Sequence, residues 1–143
     1  MIKSLPIALV LATTAIAHAE SLEEKKYWQG QQSYLDRSLA EAEKKCDVKF
    51  TFEVVDKAKL REEHDKKNHT PYAVCDGMIQ RVIILCRAGG EEKAAVKSKI
   101  TGFQCGHGKP RSLSLDKGIV RYRNNLDEAN FDDWAKKALT QRL

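Results

Sequence analysis

Hydrophobic and polar positions recur with two different periods along this chain, and the two periods predict its first helix and its first strand. From Ser21 to about Lys45 the apolar side chains are three or four residues apart, which is typical of an amphipathic helix. Ser21 and Glu24 precede that stripe with the spacing of a capping box. From Val48 to Val55 apolar and polar residues alternate strictly, which predicts a strand with one buried face.

A second helix is predicted after the first strand. Thr70 and Pro71 form a typical helix start, and Gly89 with Gly90 a typical helix end. Between them the apolar stripe includes Cys75, Ile79, Val82 and Cys86. The β-branched run inside this segment leaves a strand from Val82 to Cys86 open as the alternative. The charge-dense stretch 56–68 predicts a short exposed helix or a loop.

The last third of the chain predicts strands followed by a helix. Val96–Cys105, Arg111–Leu115 and Gly118–Asn124 have strand-like patterns, and Asp116–Gly118 predicts a tight turn between the last two. Asn130 is placed to cap a terminal helix, with acidic residues in its first turn and basic residues later.

Together these elements predict an α+β fold. It has a long N-terminal helix, a four-stranded antiparallel sheet arranged as a meander, a second helix inserted after the first strand, and a C-terminal helix. This element order resembles the cystatin-like architecture. The resemblance concerns the fold alone and implies no residue role.

The first nineteen residues predict a signal peptide rather than a part of the fold. Lys3 supplies the positive start, Leu5–Ala17 the apolar stretch, and Ala17-His18-Ala19 the small-x-small pattern of a cleavage site. The apolar stretch is shorter than the roughly 20 residues that span a bilayer, and no later segment predicts a membrane span. We therefore expect an exported chain, periplasmic or secreted, whose residues 20–143 form one domain.

The cysteines predict two disulfides, because an exported chain matures in an oxidising compartment. If Cys75 and Cys86 share a helix, eleven residues separate them by about 16 Å. A disulfide requires Cα atoms within about 7 Å, so this pair is excluded. Two connectivities remain open: Cys46–Cys86 with Cys75–Cys105, which we favour, and Cys46–Cys75 with Cys86–Cys105. The cysteine spacings do not resemble a metal or redox motif.

Positive charge is concentrated in the middle of the chain. Residues 70–125 carry 10 Lys and Arg against 4 Asp and Glu. If the meander forms, Lys97 and Lys99 on one strand and Arg121 and Arg123 on another can share a sheet face. Such a face would attract an acidic partner.

The stretch from Cys105 to Arg111 is the second candidate site. Gly106 and Gly108 flank His107, and Lys109 and Arg111 follow. Glycines that adopt left-handed conformations would present consecutive amides to an anion. The alternatives are an ordinary loop between strands, or a catalytic role for His107.

These patterns predict a non-catalytic binding protein of the inhibitor or immunity type. The predicted partner-binding residues are Lys97, Lys99, His107, Lys109, Arg111, Arg121 and Arg123. The expected partner is an acidic protein or envelope component, because aromatic residues suited to nucleic-acid binding are sparse. A small hydrolase or transferase that uses His107 is the alternative, and a metal carrier through His64, His69 and His107 is a third. We expect no cofactor, and the sequence does not specify the oligomeric state.

Overall fold

A computed structural model describes residues 21–67, 70–125 and 131–143. The predicted signal peptide, His69 and the predicted cap Asn130 lie outside the described residues. Within these ranges the helices are α1 (Leu22–Cys46), α2 (Lys57–Lys67), α3 (Pro71–Ala88), α4 (Gly90–Lys99) and α5 (Phe131–Thr140). The strands are β1 (Thr51–Val54), β2 (Gly102–His107), β3 (Ser112–Asp116) and β4 (Ile119–Asn124).

Helix α1 begins at the predicted cap. The Ser21 hydroxyl accepts a hydrogen bond from the Glu24 amide at 3.1 Å. The Glu24 carboxylate does not complete the capping box; it accepts from the Trp28 indole at 2.7 Å instead. The helix ends at Asp47, whose left-handed backbone (φ 56°) closes the last turn.

Gly30 lies in the middle of α1 with no packing role. An added Cβ there would meet no atom within 4 Å, and the residue is exposed. We therefore expect Gly30→Ala to raise the free energy of unfolding by about 1 kcal/mol, because glycine is less favourable than alanine in a helix. Chemical denaturation measures the change. An unchanged or lower free energy of unfolding would contradict this prediction.

Helix α3 forms the centre of the core and confirms the predicted second helix, so the alternative strand at 82–86 is wrong. Half of its 18 residues are buried, among them Cys75, Ile79 and Val82. It lies parallel to α1: the Gln31 side chain accepts from the Tyr72 amide near the start of α3, and Cys46 bonds Cys86 near its end. The stretch 56–68 contains α2, so its helical prediction is the correct one.

Both disulfides form as we favoured. Cys46 is bonded to Cys86 and Cys75 to Cys105, with Cα–Cα distances of 5.0 and 5.6 Å. The first bond joins α1 to α3, and the second joins α3 to β2. The central helix is therefore covalently attached to α1 and to β2.

In the described part of the chain, the sheet has four strands in the order β1-β2-β4-β3, and most of its pairings are parallel. Strand β2 runs parallel to both β1 and β4, while only β3 and β4 are antiparallel. The predicted antiparallel meander is therefore wrong. Three helices connect β1 to β2, and such a crossover returns the chain in its original direction. The parallel pairings also depart from the cystatin-like resemblance.

The predicted strand at 96–105 is wrong in its first half, because residues 90–99 form α4. Glu91 and Glu92 lie in the first turn of α4, and Lys97 and Lys99 in its last turn. This distribution of charge complements the helix dipole. Strand β2 starts only at Gly102. The hairpin of β3 and β4 is confirmed, with Lys117 and Gly118 at φ 49° and 82° as a two-residue turn requires.

The two faces of the sheet differ in what covers them. Phe103, Cys105, Val120 and Tyr122 point to the helices and are buried. The opposite face, which we call the open sheet face, is mostly polar. It consists of Thr51, Glu53, Gln104, Ser112, Ser114, Asp116, Ile119, Arg121 and Arg123. Within the described ranges, no helix is long and apolar enough to cross a membrane.

Candidate binding surface

The open sheet face is unusual for strands that pair in parallel. Parallel sheets occur almost only where both faces are covered, because crossover helices pack on each side. Here three adjacent parallel strands have one face that none of the described helices covers. Apart from Gly102 and Gly106, which share this side of β2 and are buried, its residues are all exposed or half-buried. A further layer, supplied by a partner, could therefore pack on this face.

Arg121 lies at the middle of this face. Its register neighbours are Gln104 on β2 and Ser114 on β3. Its guanidinium pairs with the Asp116 carboxylate, and its side chain remains 43 % exposed. An exposed ion pair of this kind contributes less than about 1 kcal/mol to stability, so Arg121 is available to a partner at little cost to the fold.

Arg123 is more firmly held than Arg121. It donates to the Gln104 backbone carbonyl at 3.2 Å and to the Gln104 side-chain oxygen at 2.8 Å. Its Nε lies 3.8 Å from the Asp56 carboxylate. Gln104 in turn donates to Glu53 at 2.8 Å. This hydrogen-bonded row crosses β4, β2 and β1 and keeps the centre of the face ordered.

Charge is distributed unevenly across the face. Glu53 on β1 and Asp56 just after it make one side acidic. The side formed by β3 and β4 carries Arg121 and Arg123, with Asp116 as its acid. Lys117, in the turn between these strands, is also exposed. A negatively charged partner would therefore be attracted to the β3–β4 half.

Lys97 and Lys99 do not belong to this face, and the strand position predicted for them is wrong. Both lie in the last turn of α4. The Lys97 ammonium donates to the Asp47 carboxylate at 2.7 Å, and this contact lowers the pKa of Asp47. Lys99 is exposed at the end of α4, shortly before β2 starts, whereas Lys109 follows the other end of that strand. The six residues of β2 separate these two ends by about 20 Å.

The glycines beside His107 do not form the predicted anion cradle. Neither glycine has a positive φ. The Gly108 amide donates to the Asn124 carbonyl at 3.0 Å and is not available to an anion. An added Cβ at Gly108 would lie 2.5 Å from the Arg123 Cβ, and one at Gly106 would lie 2.6 Å from Val55 Cγ2. These glycines therefore permit close packing.

His107 lies on the helix side of the sheet, across from the two arginines. It pairs in register with Asn124, and its Nδ1 atom is buried without a hydrogen-bond partner among the described residues. Lys67 lowers the pKa of Glu63 through a hydrogen bond, and His107 lowers it to a smaller extent. Arg111, just before β3, stacks on Trp134 with its Cζ 4.5 Å from the ring centroid. No grouping of three or more potential metal ligands occurs among the described residues.

Of this face, only Arg121 and Arg123 were among the predicted partner-binding residues. The residues not predicted are Thr51, Asp116, Ile119, Glu53, Gln104, Ser112 and Ser114. A signal for the last two was present, because Ser112 to Leu115 alternates serine and leucine. For Glu53 the signal was its position between the apolar residues Phe52 and Val54, which places it on the opposite, polar face of the strand. Gln104 follows Phe103 and precedes Cys105, but the displaced strand boundary concealed its position.

Comparison of the chain with protein-family models, with curated proteins and with solved structures finds no match.

Proposed function

We propose that this chain is an exported, non-catalytic binding protein of the inhibitor or immunity type. Its open sheet face takes an acidic partner protein. The two disulfides support the export half of the proposal, since such bonds persist in oxidising compartments. The uncovered face of the parallel strands supports the binding half.

The observation that carries the proposal is this uncovered polar face with its ordered centre. The Arg123–Gln104–Glu53 row holds side chains in place before any partner arrives. Preorganised groups lose less conformational entropy on binding. Arginine is also enriched at the centres of protein interfaces.

Charge favours an acidic partner on the β3–β4 half of the face. Arg121, Arg123 and Lys117 outnumber Asp116 there. Lys97 and His107 fall outside this proposed surface, because one is paired on α4 and the other faces the helices. Lys99 and Lys109 lie beyond the two ends of β2 and would act only by attraction at a distance. Arg111 lies next to β3 and stacks on Trp134.

Site-specific photocrosslinking in the native envelope fraction tests the proposal. A photoreactive amino acid at Ser114, which is exposed on the open sheet face, is compared with one at Lys26, which is exposed on α1. We expect one acidic protein to crosslink at Ser114 and not at Lys26. Equal yields from both positions, or no adduct from Ser114, would contradict the proposal.

Charge reversal at Arg121 then measures the contribution of this arginine to the binding affinity. We expect Arg121→Glu to weaken binding of the captured partner about tenfold, because it replaces an attractive charge by a repulsive one. The matched control is Lys26→Glu, which changes the net charge equally on α1. The effect of Arg121→Glu should shrink as salt screens it. A similar loss from both variants would mean that net charge, and not the open sheet face, governs binding.

A further inference from the structure

Strand β3 forms one edge of the sheet, and its outer side has no neighbouring strand within the described ranges. Its only partner strand there is β4. A backbone edge of this kind offers hydrogen-bonding groups to an additional strand. The pairing of β3 with β4 determines which backbone groups of β3 point outward.

The two-residue turn fixes that pattern. Asp116 and Ile119 close the turn, so they form a hydrogen-bonded pair. Antiparallel pairing alternates hydrogen-bonded and non-hydrogen-bonded positions. Ser112 and Ser114 therefore bond β4 as Asp116 does. The N–H and C=O groups of Leu113 and Leu115 then point away from β4, to the outer edge.

Strand β3 itself lacks the lysine, proline and bulge that often block strand addition, although α5 packs against it. Edge strands are commonly protected by lysine, by proline or by a bulge. The sequence of β3 contains neither lysine nor proline, and its pairing with β4 is continuous over all five residues. The other sheet edge, β1, is only four residues long, with Glu53 and nearby Asp56. An acidic strand would be repelled there.

The charges around β3 select the incoming strand. Arg111 and Lys117 lie immediately before and after the β3 segment. On the open sheet face, Arg123 is the register neighbour of Ser112, and Arg121 is the register neighbour of Ser114. The serines are short, so carboxylates on an added strand could approach the arginines across them. On the helix side, Leu113 is already buried, and the half-buried Leu115 would meet an apolar residue of the added strand.

We infer that an extended segment of the partner, with acidic and apolar residues in alternation, adds to the sheet as a fifth strand beside β3. This inference rests on the proposed function and names the way the partner binds. Main-chain hydrogen bonds to Leu113 and Leu115 would supply affinity, and the alternating side chains would supply specificity. A second copy of the chain is a poorer occupant, since an antiparallel β3–β3 pairing centred on Ser114 brings Arg111 beside Lys117.

A labelled peptide of alternating glutamate and valine serves as the probe, and a peptide of alternating lysine and valine as its control. Fluorescence anisotropy measures binding, and hydrogen exchange measures the protection of individual amides. We expect the acidic peptide to bind at least tenfold more tightly than the basic one. It should slow exchange at the amides of Leu113 and Leu115.

Leu115→Pro removes one outward N–H without removing a bond to β4, and proline is tolerated at such edge positions. We expect it to weaken acidic-peptide binding about tenfold. The control Leu115→Ala keeps the amide and should retain most of the binding. Should the proline variant fail to fold, the exchange protection in the unsubstituted chain still decides the matter.

Three results would overturn the inference. One is the absence of acidic-peptide binding, and another is binding without protection of Leu113 and Leu115. The third is protection of these amides in the absence of peptide, with a dimer in sedimentation. In the first two cases a crosslink from Ser114 to an acidic protein would leave the proposed function intact. The strand-addition inference and the proposed function can therefore fail separately.

Discussion

Replacing Cys75 and Cys105 together by alanine is expected to lower the free energy of unfolding by about 4 kcal/mol. The bond closes a loop with a sequence separation of 30 residues. In the chain-entropy model, opening a loop of that length increases the entropy of the unfolded chain by about this amount. Replacing Cys46 and Cys86, with a separation of 40, should cost about the same. Equilibrium denaturation of each variant measures the loss.

The four-alanine variant provides the stronger test, because small domains are stable by only about 5 to 15 kcal/mol. We expect it to be largely unfolded at 37 °C. The unsubstituted chain under a strong reductant should behave in the same way. Denaturation midpoints that are equal with and without reductant would contradict a stabilising role for these bonds.

The disulfide pairing shows how much of a long-range contact can be predicted from a local sequence pattern. The apolar stripe of α3 was sufficient to place Cys75 and Cys86 on one helix, and helix geometry then excluded a bond between them. The remaining choice between two pairings needed the position of β2, which the sequence did not supply. In the fold, Cys105 lies on the buried face of β2 and reaches Cys75 on α3.

The sheet direction could not be obtained from the same patterns. The sequence pattern predicts one strand that includes Val96 and Ile100, but Val96 lies in α4 and Ile100 follows its end. Short segments with few apolar residues fit both periods. Because residues 90–99 form α4, three helices connect β1 to β2. The two strands pair in parallel.

The candidate surface was predicted only in part for the same reason. Arg121 and Arg123 share a face because residues two apart on a strand always do, and the strand predicted at 118–124 is found at 119–124. Lys97 and Lys99 were assigned to that face through a strand that does not exist. Charge in the sequence identified a basic region. The arrangement of the strands decided which of its cations lie together.

The two glycines around His107 illustrate a different limit. The sequence suggested that their backbones need positive φ, but Gly106 and Gly108 are required by what packs against them. Such contacts come from chain segments far away in sequence: Val55 is about 50 residues from Gly106. No local pattern reports a contact of this kind.

Gly106→Ala is accordingly expected to lower the free energy of unfolding by about 2 kcal/mol, the usual cost of overpacking. The new Cβ would lie 2.6 Å from Val55 Cγ2 and 3.1 Å from the Val55 carbonyl oxygen. If the side-chain contact dominates, Val55→Ala should recover most of that loss when both changes are combined. The measured quantity is the coupling free energy of the double-mutant cycle, which we expect to be about 1 kcal/mol.

A coupling near zero would show that the Asp56 carboxylate at 3.0 Å or the Val55 carbonyl at 3.1 Å, rather than the Val55 side chain, excludes a Cβ from position 106. Gly30→Ala serves as the matched control for the glycine change, because an added Cβ meets nothing there. The same substitution should thus stabilise the chain in α1 and destabilise it in β2. The opposite signs follow from packing, since neither glycine has a positive φ.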